Sequence, residues 1–217
     1  MSENLKEINY KIDDFCYKNN LKKPEILGAT KFVDIDKIKE AFSCGLTAVG
    51  ENYVNHYLSK KSDYPENLKI DIIGHLQSNK VNYVVNKHIR CIQSVDSLKI
   101  LKLIDKQAKN LNHIQDVLIE VNIAEELSKT GIGVNDLQTL FDEQLENVRI
   151  KGLMFMPPFG EEDIYLPKGQ ELFEKYKQKY NLEIISAGLS DSYLTAIKYG
   201  STVVRLGSAI FGERPAH

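Results

Sequence analysis

Cysteine and histidine are scarce in this chain of 217 residues, and their spacing is not that of a ligand set. The three cysteines, Cys16, Cys44 and Cys91, are odd in number and far apart, which is typical of reduced thiols and argues against a disulfide framework. The five histidines form no paired motif of the kind that zinc sites use. We therefore expect neither a metal site nor a disulfide-stabilised fold.

Long hydrophobic runs and an excess of one charge are also absent. Apolar stretches end well before the roughly 18 residues that a membrane span requires, and residues 1–5 lack the apolar core of a signal peptide. The 28 Lys and Arg residues against 30 Asp and Glu residues give a formal charge of -2, without a concentrated basic face. We therefore expect no membrane and no nucleic-acid partner, a cytoplasmic location and, because no large apolar stripe is left over, a monomer.

The chain does contain an alternation of strand-like and helix-like segments. Apolar residues at helical spacing predict a first helix around Leu5, Ile8, Ile12 and Phe15. Eight strand-like runs follow, at residues 26–30, 46–50, 70–74, 89–94, 117–122, 150–154, 184–187 and 202–206. Amphipathic helical patterns separate them, with predicted caps at Asp34, Ser97 and Asn135.

This alternation predicts the fold class. Near-continuous apolar strands between amphipathic helices favour a parallel sheet that is covered on both faces. Eight units of about 27 residues each match the compact end of the (β/α)8 range. We predict an α/β fold, a (β/α)8 TIM barrel with an additional N-terminal helix, as one domain over residues 1–217. An open doubly wound sheet is the alternative.

Lys31 follows the first predicted strand, at the rim where barrels carry their functional residues. A lysine at a strand end usually extends into water. However, the five residues before it carry no charge and imply a buried backbone, and burial lowers the pKa of an ammonium and produces the neutral amine that attacks a carbonyl. Lys31 is therefore predicted to form a Schiff base with an aldehyde-bearing ligand.

Further candidate residues follow other strands at the same predicted rim, namely Asn52, His75, Met154, Ser190 and Gly207. Asn52 offers both a donor and an acceptor to a ligand, although a helix cap explains it equally well. His75 could stack against a ring, but a lone histidine is more often structural.

Glycines and hydroxyls after the last two strands predict a phosphate site. Ser190 and Asp191 are predicted to begin a helix, and Gly207-Ser208 leads into a short turn, so free backbone N–H groups from both segments would converge. The alternative is that Ser190 or Asp191 only caps a helix and Gly207 only eases packing.

Arg205 lies within the eighth predicted strand, where a guanidinium without an acceptor would be costly. Alternation places Val203 and Arg205 on one face of the strand, so Arg205 is predicted to point into the barrel towards the ligand of Lys31. A structural ion pair with a buried carboxylate is the alternative.

In their order along the chain, these motifs resemble those of the pyridoxal 5'-phosphate homeostasis proteins, the single-domain relatives of the alanine racemase N-terminal barrel. The resemblance extends from about Ile26 to Arg214. It is carried by Ala29-Thr30-Lys31, Gly50-Glu51-Asn52-Tyr53-Val54, Ile73-Gly74-His75-Leu76-Gln77-Ser78-Asn79-Lys80, Ser94-Val95-Asp96-Ser97-Leu98, Gly152-Leu153-Met154, Gly188-Leu189-Ser190-Asp191 and the segment from Gly200 to Gly212. It implies a barrel of the alanine racemase N-terminal type that binds pyridoxal 5'-phosphate (PLP).

The resemblance also implies roles for individual residues. Lys31 is expected to form an internal aldimine with PLP. The phosphate is expected on Ser190, Gly207 and Ser208. Arg205 is expected to face the pyridine nitrogen, where a fixed positive charge disfavours ring protonation and restrains carbanion chemistry.

Asn52 is expected to line the pocket, with His75 and Met154 as further candidates, and no residue is assigned a catalytic role. Two sites depart from the family pattern in ways that affect local contacts. Ser192 stands where an acidic residue is usual, and Ile70-Asp71 stands where tryptophan and histidine are often found.

The function that the resemblance implies is reversible binding of PLP and its buffering or delivery, with PLP-dependent apoenzymes as candidate recipients and without robust catalysis. One rival is an amino-acid racemase. Alanine racemases add a second β-rich domain and a tyrosine base from a partner, and this chain ends at His217 soon after the eighth strand, so we expect it to lack the second base. The other rival is a cofactor-free Schiff-base aldolase in which Lys31 attacks a sugar phosphate.

Overall fold

The computed structural model describes residues 1–126 and 130–213, in which eight parallel strands close into a barrel. The strands are β1 Glu25–Ala29, β2 Ala48–Glu51, β3 Lys69–Ile72, β4 Ile89–Val95, β5 Gln115–Val121, β6 Val148–Phe155, β7 Ile184–Ser186 and β8 Val203–Leu206. The predicted barrel and its eight strands are confirmed, with strand ends shifted by at most two residues. Arg214 and His217 lie outside the described residues.

The first and last strands close the barrel. Leu27 of β1 lies opposite Ala48 of β2 on one side and opposite Arg205 of β8 on the other. Each strand pairs in parallel with its neighbours in chain order. An open doubly wound sheet would leave two free edges, so closure excludes that alternative.

Helices follow the strands and cover the outside of the barrel. They are α1 Ser2–Asn19, α2 Ile35–Ser43, α3 Val54–Lys60, α4 Val81–Val84, α5 Leu98–Asn110, α6 Leu137–Phe141, α7 Glu162–Tyr180, α8 Tyr193–Lys198 and α9 Ser208–Phe211. Helix α1 is the predicted additional helix. The Nδ2 group of Asn4 in α1 donates to the carbonyl oxygen of Ile210 in α9 at 3.2 Å, so α1 packs against the turn that follows β8.

The three predicted helix caps have different outcomes. The hydroxyl oxygen of Ser97 accepts a hydrogen bond from the Ile100 N–H at 3.4 Å and caps α5 as predicted. Asp34 stands at the N-cap of α2, but its side chain makes no capping hydrogen bond. The prediction for Asn135 is wrong, because Asn135 lies inside a short 3-10 helix, Val134–Asp136, that precedes α6.

Apolar side chains fill two layers. The larger one lies between the barrel wall and the helices and includes the buried face of α1, with Leu5, Ile8 and Ile12. Inside the barrel there are two small apolar clusters, Leu27, Ala48, Ile73 and Val203 in one, and Cys91, Leu118 and Met154 in the other. Strand alternation places four buried polar side chains in the same interior, those of Asp71, Gln93, Ser186 and Arg205.

No helix in residues 1–126 and 130–213 combines the length and the apolar character needed to cross a membrane.

Candidate functional site

The barrel has a cavity of about 340 Å³ at the carboxyl ends of its strands. Its lining consists of Ala29, Lys31, Asn52, Ile73, Met156, Leu189, Ser190, Asp191, Arg205, Gly207 and Ser208. Six of the eight predicted ligand residues are brought together in this lining: Lys31, Asn52, Ser190, Arg205, Gly207 and Ser208. Residues that lie up to 177 positions apart in the sequence, such as Lys31 and Ser208, thus share one cavity.

Lys31 lies in the turn after β1, at the mouth of the cavity. Both the N–H and the hydroxyl of Thr30 donate to the Gly50 carbonyl oxygen of β2 at 3.0 Å, which fixes the start of the turn. The Lys31 Nζ atom lies 5.6 Å from the ring centroid of Phe32 and 5.4 Å from that of Tyr53. The side chain is only half-buried, because it extends from the turn and not from the strand. The amine is therefore within reach of a ligand that enters the mouth.

A buried ion pair supports this turn from outside the cavity. Phe32 has a φ of 61°, in the left-handed region that bulky residues rarely adopt. The Lys60 ammonium donates to the Val33 carbonyl oxygen at 3.2 Å and to Glu51 Oε1 at 2.6 Å, and the Tyr64 hydroxyl donates to the same Glu51 oxygen at 2.5 Å. Burial, followed by the negative charge of Glu51, raises the pKa of Tyr64, so its hydroxyl keeps the proton that it donates. These contacts tie the turn to β2.

Asn52 contributes a buried acceptor to the cavity wall. It does not cap a helix, since Tyr53 is the N-cap residue of α3. Its Oδ1 atom is buried and has no hydrogen-bond partner in the part of the chain that the structure describes. A Cβ atom on Gly74 would collide with the Asn52 carbonyl oxygen, so a glycine is needed where the β3 exit passes Asn52. The orphaned amide oxygen is a group that a ligand donor would satisfy.

Backbone N–H groups form a cradle at the ends of β7 and β8. The Ser190 hydroxyl oxygen accepts hydrogen bonds from the N–H groups of Gly207 at 3.3 Å and Ala209 at 3.2 Å. Two N–H groups that converge on one oxygen are the arrangement that binds a phosphate oxygen. Ser190, Gly207 and Ser208 therefore form the part of the cavity that is best suited to an anion.

The prediction that Ser190 and Asp191 begin a helix is wrong. Helix α8 begins at Tyr193. In the preceding turn, the Ser192 N–H donates to the Leu189 carbonyl oxygen, and the Ser192 hydroxyl oxygen accepts from the Leu189 N–H. The structure therefore has, in place of two converging helix starts, one cradle that the Ser190 side chain reaches from the turn after β7. Ser192, one of the two departures from the family pattern, thus hydrogen-bonds within the local turn.

Arg205 is buried with three neutral acceptors. Its Nη1 group donates to the Ser186 carbonyl oxygen at 2.8 Å and to the Ser186 hydroxyl oxygen at 2.7 Å, and Nη2 donates to the Phe155 carbonyl oxygen at 3.0 Å. Burial lowers the pKa of Arg205 to about 10, against the opposing effect of the Glu120 carboxylate. The guanidinium is therefore still protonated at neutral pH. No carboxylate among the described residues forms an ion pair with it, so the alternative of a structural ion pair is excluded.

Glu120, at the carboxyl end of β5, is a buried acid that the sequence did not single out. The Thr130 hydroxyl donates to its Oε1 atom at 2.6 Å. Burial raises the pKa of Glu120, and the Thr130 hydrogen bond opposes this shift. Its influence on Arg205 is electrostatic and not a direct hydrogen bond.

His75 lies beside the cavity and not in its lining. It lines a neighbouring cavity of about 500 Å³, which also contacts Asn52. Its Nδ1 atom is 2.9 Å from Asp96 Oδ2. The structure thus gives His75 a fixed carboxylate partner and a position next to the predicted site.

Met154 is not in the cavity lining, and its predicted place at the rim is wrong. Its side chain is completely buried in the barrel interior with Cys91 and Leu118. Strand β6 continues to Phe155, one residue further than predicted, so the rim begins at Met156, which does line the cavity.

Within the described residues, no group of three or more His, Cys, Asp or Glu side chains is placed to hold a metal ion. All three cysteines are free.

Comparisons with known proteins agree with this geometry. Residues 31–215 match the family model for the alanine racemase N-terminal domain. The pyridoxal phosphate homeostasis protein of Aquifex aeolicus is 40% identical over 88% of this chain and 87% of that protein, and the one from Haemophilus influenzae is 35% identical over 99% and 96%. The solved structure of PipY from Synechococcus elongatus with PLP bound matches with a TM-score of 0.83 and 26% identity, covering 97% of this chain and 99% of that one. The chain therefore belongs to the pyridoxal phosphate homeostasis protein family and has a barrel of the alanine racemase N-terminal type.

Proposed function

We propose that this protein binds PLP in the cavity at the barrel mouth and acts in PLP homeostasis by buffering or delivering the cofactor. The observation that carries the proposal is that an accessible lysine, an N–H cradle and a buried arginine line one cavity. Its volume of about 340 Å³ lies within the roughly 300–1,000 Å³ of small-molecule sites. The names of the relatives and the PLP-bound state of PipY support the same ligand.

The residues present fit the chemical groups of PLP. A phosphate oxygen would take the place of the Ser190 hydroxyl oxygen on the N–H groups of Gly207 and Ala209, and the hydroxyls of Ser190 and Ser208 would then donate to the phosphate. The orphaned amide oxygen of Asn52 would accept a hydrogen bond from the ligand. The site thus offers groups for both polar regions of an aldehyde-bearing phosphate.

Lys31 is the proposed covalent attachment point. Its Nζ atom would hold the cofactor through the PLP aldehyde carbon as a Schiff base, with the loss of one water. When bound, PLP supplies an electron sink whose strength depends on the protonation of its ring nitrogen. Arg205 would face that nitrogen, and its positive charge, bound only to neutral acceptors, would disfavour ring protonation. The site would therefore retain the cofactor without promoting carbanion chemistry.

The wider role follows from this weak activation. We propose that the protein is a carrier or regulator without robust catalytic activity, that PLP-dependent apoenzymes receive the cofactor from it, and that it is a monomer. A cytoplasmic location is supported by the three free cysteines.

The test measures the absorption spectrum of the PLP adduct and identifies the lysine to which PLP is attached. PLP is added to the wild type, to Lys31→Ala and to a control, Lys80→Ala, which removes a lysine from the neighbouring cavity. We expect a yellow product in the wild type and the control, fixed by borohydride on the peptide that contains Lys31, and none in Lys31→Ala. Equal labelling of all three proteins, or a label on a different lysine, would overturn the assignment.

The same samples test the two rival functions. Rapid incorporation of solvent deuterium at the α-carbon of alanine would favour a racemase. A wild-type protein that cannot be loaded with PLP, but forms a borohydride-trapped adduct with a sugar-phosphate aldehyde or ketone, would favour an aldolase. We expect neither result.

A further inference from the structure

A continuous line of hydrogen bonds crosses the barrel interior and ends on Arg205. At the amino-terminal end of the barrel, Arg90 donates from Nε and Nη2 to the two Asp71 carboxylate oxygens at 2.8 and 2.7 Å. Gln93 Nε2 donates to Asp71 Oδ2 at 2.6 Å. The Ser186 hydroxyl donates to Gln93 Oε1 at 2.6 Å, and Arg205 Nη1 donates to the Ser186 hydroxyl oxygen at 2.7 Å. The line joins β3 and β4 to β7 and β8 on the opposite side of the barrel.

The donor and acceptor of each bond in this line are determined by its neighbours. The Asp71 carboxylate only accepts, so it requires the NH2 side of the Gln93 amide. The Gln93 amide oxygen then faces Ser186 and accepts its single hydroxyl hydrogen. The Ser186 oxygen is consequently left as an acceptor, and Arg205 occupies it. Reversing the Gln93 amide would place its oxygen against a carboxylate, so the arrangement has one favourable direction.

Because the line is buried, breaking one of its hydrogen bonds is expected to cost free energy of folding. Asp71, Gln93, Ser186 and Arg205 are at most 3% exposed, so water cannot readily replace a lost partner. The carboxylate is separated from Arg205 by two neutral side chains. The line can therefore fix the guanidinium in space while leaving its positive charge unpaired.

We propose that Asp71 and Gln93 are positioning residues that act through Ser186 to hold the Arg205 guanidinium against the ring nitrogen of bound PLP. This inference rests on the proposed function. It also gives a role to Asp71, which stands where the family often has histidine: its carboxylate determines the direction of every hydrogen bond towards Arg205.

The matched pair Gln93→Met and Gln115→Met tests the inference. Both remove a buried amide, but the Gln115 amide donates only to backbone oxygens, those of Ile89, Arg90 and Asp116, and is not part of the line. In cofactor-free protein, we expect the Arg205 guanidinium N–H signals in NMR spectra to stay sharp in the wild type and Gln115→Met and to broaden in Gln93→Met. With ring-labelled PLP, the nitrogen-15 signal should move towards the protonated value in Gln93→Met alone, with retention of PLP weakened by roughly tenfold.

The outcomes separate this inference from the proposed function. If wild-type protein does not bind PLP on Lys31, the proposed function fails, whereas the guanidinium signals still report on the line itself. If the wild type binds PLP and Gln93→Met behaves like Gln115→Met in both NMR readouts, the positioning role is wrong. Should Gln93→Met fail to fold, Ser186→Ala interrupts the same line with a smaller change and must give the same broadening of the guanidinium signals and the same movement of the nitrogen-15 signal. Wild-type behaviour of that variant in both readouts would equally overturn the inference.

Discussion

The cations that line the mouth cavity and the cations at the amino-terminal end of the barrel have different kinds of partner. At the amino-terminal end, Arg90 is paired with Glu25 and Asp71, and Arg149 is paired with Asp116, at distances of 2.7 Å. At the mouth, Lys31 contacts aromatic rings and Arg205 donates to neutral oxygens, and neither ion-pairs with a carboxylate among the residues that the structure covers. The difference indicates that the cations lining the cavity are kept available for an anionic ligand, whereas ion pairs outside the cavity, at the amino-terminal end and between Lys60 and Glu51 near the mouth, serve cohesion.

The largest effect on stability is expected from breaking the buried pair at the amino-terminal end. Arg90→Met leaves the buried Asp71 carboxylate without its bidentate partner, so we expect a loss of about 3–5 kcal/mol in unfolding free energy, measured by denaturant titration. The control is Arg149→Met, whose ion pair with Asp116 is exposed, with an expected loss of about 1 kcal/mol or less. Equal losses in the two variants would contradict the idea that this end is held together by buried charge.

Arg205→Met makes the corresponding change at the mouth, and we expect a smaller loss of stability. The variant removes the donor to three neutral oxygens but leaves no unpaired charge, so about 1–3 kcal/mol should be lost. Its main effect should be on the ligand, with weaker PLP retention and a changed absorption spectrum. A variant with wild-type spectrum and affinity would show that Arg205 does not face the cofactor.

The phosphate cradle gives the next prediction. Ser190→Ala removes a hydroxyl that would donate to the phosphate, so we expect PLP to bind about fivefold more weakly, with little change in stability. Ser43→Ala, which removes a hydroxyl bonded only to the Glu40 carbonyl oxygen on an exposed surface, is the matched control. If titration with PLP gives the same affinity for both variants, the phosphate lies elsewhere.

These comparisons also explain which features could be predicted from the sequence. The barrel was predictable because apolar strands and amphipathic helices alternate eight times, and local composition is enough to reveal that pattern. The direction of the Arg205 side chain, into the barrel, was predictable from the alternation of side chains along β8. Met154 was placed at the rim because the predicted end of β6 was one residue too early, whereas the strand continues to Phe155 and leaves Met154 in the barrel interior.

The interior line of hydrogen bonds could not be predicted at all. Asp71 and Gln93 are 22 residues apart, Gln93 and Ser186 are 93 apart, and no motif links them. Only closure of the barrel brings β4 within reach of β7. The sequence contained one signal, the acidic Asp71 within the otherwise uncharged predicted strand at residues 70–74, but its partner could not be named from that residue.

The smallest predicted effect concerns pH. Burial raises the pKa of Glu120 in the folded protein, so the unfolded chain releases this proton at lower pH than the folded one. Wild-type stability should therefore fall relative to Glu120→Gln as pH rises from the ordinary glutamate range through the raised pKa, and the difference should be constant above it. Denaturant titrations across this range check the sign, and a difference that grows in the opposite direction would contradict the burial of an ionisable carboxyl at the mouth.

The most direct test of the account is a crystal structure of the protein soaked with PLP. We predict continuous electron density from Lys31 Nζ to the cofactor, its phosphate on the N–H groups of Gly207 and Ala209, and the ring nitrogen beside the Arg205 guanidinium. Density joined to another side chain, or a phosphate at the paired amino-terminal end of the barrel, would contradict it.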